Sequence, residues 1–259
     1  MTENKNTPIK TPVSGLKVGM TEVPVNTESM PAYYAMPEQA GRLPVVLVIQ
    51  EIFGVHEHIQ DICRRFAQEG FLAIAPELYF RQGDPAAFSE VSDIVSKIVS
   101  QVPDEQVLQD LDACLVWAGL HGGNLAQVCV TGFCWGGRVT WRYAEHQPMV
   151  NAAVAWYGRL TAGHGPIHTR HPIDVASTLQ APVLGLYGEK DAGIPLSDVR
   201  AMQKALTLGN EYAQRSTIRV YEGADHGFFA DYRPMYEPKA AKDAWVRCLA
   251  WMRSNLKPG

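Results

Sequence analysis

The stretch that most constrains this chain is Gly132-Phe133-Cys134-Trp135-Gly136-Gly137. It follows the apolar run Val128-Cys129-Val130 and precedes Arg138-Val139-Thr140-Trp141-Arg142-Tyr143-Ala144, so it reads as strand, tight turn and helix with a cysteine at the apex. A G-x-C-x-G turn in that setting has the form of a nucleophile elbow with cysteine in place of serine. So sharp a reversal brings backbone segments into contact, and a Cβ at position 132 or 136 would collide. The spacing predicts a strained cysteine held out above a sheet.

The rest of the chain supplies that sheet. Thr21-Glu22-Val23-Pro24-Val25 and Met30 to Met36 read as short strands around the turn residues Asn26-Thr27-Glu28, and their prolines suit an edge position. Leu43 to Ile49 is a continuous apolar run, as a strand covered on both faces requires. His58 to Glu69 has helical spacing at Ile59, Ile62, Phe66 and Ala67, with Gly70 placed to end it. Phe71 to Pro76 is the next strand, Pro85 to Val102 an interrupted helix, and Asp104 to Leu120 a stronger one. After the elbow helix, Asn151 to Tyr157, Pro182 to Tyr187 and Thr217 to Tyr221 read as strands, Leu196 to Leu208 and Pro238 to Leu256 as helices. Gly158 to Gln180 has no clear period, and such loops often form functional rims. Alternation from residue 43 onward predicts an α/β fold, with a mostly parallel central sheet and helices on both faces.

Composition narrows the function classes. With 259 residues, 46% of them hydrophobic, the chain is long enough for one large α/β domain, expected over residues 16–259 behind a polar, frayed tail at 1–15. A net charge of −4 with scattered Lys and Arg argues against nucleic-acid or membrane-surface partners. No window approaches the roughly 18–20 apolar residues that a spanning helix needs. The five cysteines (Cys63, Cys114, Cys129, Cys134, Cys248) have no regular spacing, so a disulfide framework is not expected and a reducing cytoplasm is. All but Cys134 sit in apolar or amphipathic runs and read as buried thiols. A monomer or small homo-oligomer is compatible with all of this.

Cys134, Asp191 and His226 each fall just after the end of an apolar strand, and in an open parallel sheet those loops share one edge. Nucleophile, acid and histidine in that order form a hydrolytic triad. A free thiol of pKa about 8.5 is a few per cent thiolate at neutral pH, and that thiolate is a strong nucleophile. The following helix N-terminus favours the anion. His226 can take the thiol proton, while Asp191 fixes its tautomer. Asp198 and Asp225 compete for the acid role. His164, His168 and His171 have no metalloprotease spacing, and His56-Glu57-His58 is not H-E-x-x-H, so neither a metal nor a cofactor is expected.

These residues resemble the dienelactone hydrolase family of α/β-hydrolases over most of the chain. The matching pieces are Gln50-Glu51-Ile52-Phe53-Gly54, Ala75-Pro76-Glu77-Leu78-Tyr79, the elbow, Gly188-Glu189-Lys190-Asp191 and His226-Gly227-Phe228-Phe229. The resemblance implies an α/β-hydrolase fold, a Cys134-Asp191-His226 triad and an oxyanion hole formed by the backbone N–H groups of Ile52 and Trp135. It also implies a Glu51 that bonds the resting thiol and is displaced by substrate, which fits the rule that a nearby carboxylate disfavours a thiolate. Arg81 would hold a substrate carboxylate, with Phe53 and Tyr79 beside it. The family's second arginine falls on Ala230 here, leaving Arg233 as its substitute and Arg159 as a further possibility. The expected activity is hydrolysis of an ester or enol-lactone through a thioester, with a small anionic lactone as the leading substrate class that the resemblance implies. The alternatives are a broader carboxylesterase or thioesterase, and a non-catalytic small-molecule receptor on the same fold, against which the filled triad argues.

Overall fold

The computed structural model describes residues 8–39 and 41–257. Eight strands form one sheet: β1 (Leu16–Val25), β2 (Glu28–Pro37), β3 (Leu43–Ile49), β4 (Leu72–Pro76), β5 (Gly123–Phe133), β6 (Val150–Trp156), β7 (Val183–Gly188) and β8 (Thr217–Tyr221). The helices are α1 (Glu57–Gln68), α2 (Val91–Lys97), α3 (Asp104–Leu120), α4 (Trp135–His146), α5 (Pro172–Val175), α6 (Leu196–Thr207), α7 (Glu211–Arg215) and α8 (Pro238–Asn255). The strand order is β1-β2-β4-β3-β5-β6-β7-β8. β1, β2 and β4 pair antiparallel, and every pairing from β4 through β3 to β8 is parallel.

The apolar runs become the central strands because both faces are covered. On one face Phe66 of α1 meets Trp245 of α8, ring centroids 4.7 Å apart. On the other, Arg138 of α4 and Asp104 of α3 form a buried two-pronged ion pair at 2.7 and 2.8 Å. Buried apolar side chains from all eight strands join one cluster. Among the described residues no helix is long and apolar enough to cross a membrane.

Two expectations are corrected. β2 is not an edge strand, since it lies between β1 and β4. Pro31 is tolerated there because the β2–β4 ladder begins only at Ala32, and its carbonyl accepts the Glu77 N–H at 2.8 Å just beyond that end. The tail expected to fray through residue 15 is tied to α1 instead: the Thr11 N–H donates to Asp61 Oδ1 at 2.6 Å and Gln68 Nε2 donates to the Pro12 carbonyl at 3.0 Å. Residues 1–7 of that tail lie outside the described residues.

Candidate active site

Parallel strands that all run one way bring their following loops to one edge, and there the elbow stands. Cys134 has φ 56° and ψ −111°, a strained left-handed conformation for a residue with a side chain. Its N–H donates to the Trp156 carbonyl at 3.0 Å, and its own carbonyl accepts from the N–H groups of Gly137 and Arg138 as α4 begins. The glycines are dictated by contact. A Cβ on Gly132 would stand 2.3 Å from the Gly136 carbonyl oxygen, and one on Gly136 would stand 2.5 Å from those of Ile49 and Gln50. A Cβ on Gly137 would meet the Trp156 carbonyl at 2.3 Å. Behind the turn, the buried Arg138–Asp104 pair pins the start of α4 to the start of α3.

Asp191 follows β7 and His226 follows β8. His226 Nδ1 lies 2.7 Å from Asp191 Oδ2, while Asp191 Oδ1 accepts the Gly193 N–H at 2.9 Å. With both oxygens engaged, the carboxylate cannot turn away from the imidazole. The competing acids are occupied elsewhere. Asp225 accepts the His226 N–H, and Asp198 accepts the Thr161 hydroxyl. Burial disfavours the charged imidazole, but the charge of Cys134 and the hydrogen bonds to Asp191 and Cys134 outweigh it and push the His226 pKa up to about 10. Burial pushes the thiols of Cys63, Cys114, Cys129 and Cys248 upward, so these four are poor nucleophiles.

Cys134, Asp191 and His226 line one cavity of about 340 Å³ together with Ile52, Phe53 and Arg233. Arg159 and His164 also face it. The Arg233 guanidinium lies over the Phe53 ring, 5.6 Å from its centroid. The N–H of Trp135 belongs to the first residue of α4, so the helix itself offers it no acceptor.

Three sequence expectations are changed by the geometry. Arg81 does not line the cavity: its guanidinium grips both oxygens of Asp110 at 2.8 and 3.1 Å, its Nε donates to Glu28, and it stacks over Phe80. It ties α3 to the β1–β2 hairpin. Tyr79 is buried beneath the elbow, its ring centroid 4.9 Å from that of Trp135, so it supports the turn and does not face a substrate. Glu51 does not bond the thiol. Its Oε2 accepts the Tyr232 hydroxyl at 2.7 Å and lies 3.4 Å from His56 Nε2, and its Oε1 has no hydrogen-bond partner. Burial opposes ionisation of Glu51, yet His56, His58 and Tyr232 together hold its pKa down to about 2.

Residues that pattern reasoning did not single out also shape the site. Tyr157, directly after β6, has φ 37° and sets its ring edge-on to His226, centroids 5.2 Å apart. Its position at a strand end was the available signal. Tyr232 carried none, because its partner Glu51 lies 181 positions away, whereas His56 stands five residues after Glu51 in the His56-Glu57-His58 run that the sequence reading tested only for a metal motif. The three histidines of the long loop do not converge: His168 Nδ1 accepts the His164 N–H and its Nε2 reaches the Val102 carbonyl at 2.9 Å. Burial first, and then Arg159, push the His164 pKa down to about 3, so it faces the cavity uncharged.

Comparison with known proteins places the chain in a family. The profile of the dienelactone hydrolase family matches residues 30–256. This chain belongs to the dienelactone hydrolase family. A Salmonella typhimurium protein named "Putative carboxymethylenebutenolidase" is 53% identical over 246 residues, covering 95% of this chain and 90% of that one. One of the same name from Methylorubrum extorquens is 48% identical, covering 95% and 84%. The crystal structure of a "Putative Dienelactone Hydrolase" from Klebsiella pneumoniae superposes with a TM-score of 0.89 at 54% identity, covering 92% of this chain and 98% of that one. The family member described here is accordingly a hydrolase of the α/β-hydrolase fold.

Proposed function

We propose that this dienelactone hydrolase family member cleaves an ester or enol-lactone through a thioester on Cys134. The observation that carries the reading is the meeting of the strained elbow cysteine with the His226–Asp191 pair at one cavity. His226 takes the thiol proton as sulfur attacks the carbonyl carbon, and the carbonyl electron pair moves onto oxygen. The Ile52 and Trp135 N–H groups would receive that oxyanion. Collapse of the intermediate breaks the bond to the leaving oxygen, which receives the proton from His226. Water then attacks the thioester while His226 takes its proton, and the carboxylic acid and the thiol are regenerated. Asp191 holds the imidazole and balances its charge throughout.

For the substrate, Arg233 and Arg159 at the cavity favour a small lactone that carries a carboxylate, with Phe53 beneath it. The test is acyl trapping. Incubation with a slowly deacylated lactone or aryl ester, quenched in acid, should leave one acyl mass on the peptide bearing Cys134. Cys134→Ala should retain the fold by circular dichroism and lose turnover by about 1,000-fold or more. Full turnover in that variant would refute the proposal.

A further inference from the structure

The stretch from Gly158 to His171, between β6 and α5, has no helix or strand, yet it is clamped along its length. At its far end the Arg170 carbonyl accepts from Arg138 and Arg142 of α4, at 2.8 and 2.7 Å. In its middle two glycines have no room for a side chain. A Cβ on Gly163 would collide with the His168 Cβ, and one on Gly165 would stand 2.6 Å from the Ser100 Cβ. His164 sits between them, and its N–H donates to Nδ1 of the buried His168 at 3.1 Å. Arg159 Nη1 donates to the Gly163 carbonyl at 3.0 Å, closing the loop on itself. His164 is therefore fixed by backbone contact, as Cys134 is, and it lines the same cavity as Cys134 and His226.

The imidazole has a donor to offer there. Its Nδ1 is buried with no hydrogen-bond partner, and a buried N–H without an acceptor is the defect that folded chains avoid most. The proton therefore belongs on Nε2, the ring's remaining polar atom. Arg159, Arg138, His168 and His226 surround the ring and none of them favours a second proton, so it stays neutral. A neutral N–H binds an oxygen acceptor without setting another positive charge beside His226, where an imidazolium must form. The side of the cavity follows from the chain path. Tyr157, two residues before Arg159, lies edge-on to His226 at 5.2 Å, so the loop leaves β6 beside that histidine. His226 protonates the leaving oxygen, which puts the alcohol half of an ester on its side. Resting on that reading of Cys134 and His226, we infer that His164 is a specificity-determining residue: its Nε2–H donates to a second oxygen acceptor, beyond the reacting carbonyl, on the alcohol half of the substrate.

The experiment compares two acetate esters, of hydroxyacetone and of methallyl alcohol, which present C=O and C=CH2 at the same place on the alcohol half. Measuring kcat/KM for each ester in the parent and in variants cancels the esters' own difference in reactivity. His164→Phe keeps a planar ring and removes the donor. It should lower kcat/KM about tenfold for the hydroxyacetone ester and less than about twofold for the methallyl ester. His164→Gln, whose amide N–H reaches the place of Nε2, should recover most of the selective loss. Equal losses on both esters, an unchanged hydroxyacetone ester, or a selective loss that His164→Gln does not reduce overturns the inference. The acid-quenched acyl mass on the Cys134 peptide is read in parallel. Its absence from the parent refutes the reading of Cys134, whereas its presence with an unaltered ratio between the esters refutes the role of His164 alone.

Discussion

The elbow at Cys134 and the loop after β3, whose Ile52 and Phe53 line the same cavity and whose Glu51 is buried behind them, are held by different forces. At the elbow the constraint is backbone against backbone: three glycines whose missing Cβ atoms leave room for carbonyls 2.3–2.5 Å from where those atoms would be. Nothing there can turn without breaking strand or helix. On the Glu51 wall the constraint is side chain against side chain, a phenol and an imidazole drawn from distant segments onto one carboxylate oxygen. Such contacts are set by which side chains folding brings together, not by the local backbone. Within the proposed mechanism, the rigid device serves to hold Cys134 in one position against the His226–Asp191 pair.

The sharpest way to break the comparison is to damage the rigid side. Gly136→Ala forces a Cβ against the Ile49 and Gln50 carbonyls, which are backbone atoms that cannot swing aside. It should lower unfolding free energy by about 3 kcal/mol, at the upper end for overpacking, and lower activity with it. Urea denaturation measures this, and a midpoint equal to the parent's would mean the elbow has slack.

The Glu51 wall responds to acid. With its pKa lowered from an ordinary 4.5 to about 2, Glu51 contributes stability that is fully present above pH 4.5 and lost as pH falls through about 2. Glu51→Gln lacks that contribution. The stability difference between parent and variant should therefore shift in the variant's favour between pH 4.5 and 2. Parallel pH dependences in that window would mean the carboxylate is not held ionised by His56 and Tyr232.

The smallest expected effect separates two arginines. Arg233→Ala should raise KM for a carboxylated lactone about tenfold and leave a neutral aryl ester unchanged, in line with loss of one charge-assisted contact. Arg81→Ala should weaken the fold, by detaching Asp110 and Glu28, with KM unchanged for both substrates. A KM effect from Arg81 and none from Arg233 would reverse the assignment of the anion site.

How much of this could be read from residues alone follows the same division. The strand and helix pattern was legible because burial on two faces demands continuous apolar runs, as in Leu43 to Ile49. The meeting of Cys134, Asp191 and His226 was legible because each ends a parallel strand and the sheet carries those ends to one edge. Arg81 was not: the residues that claim it, Asp110 and Glu28, lie 29 and 53 positions away. The orientation of Glu51 was not either, since Tyr232 stands 181 residues downstream.

By itself, then, the sequence determined the backbone of the site, because glycine, strand and turn requirements act between near neighbours and leave a local pattern. The tertiary structure alone decided which charged side chains reach the cavity and which are spent in ion pairs. A carboxylate or guanidinium takes whichever partner folding brings within about 3 Å, and no local pattern records that choice.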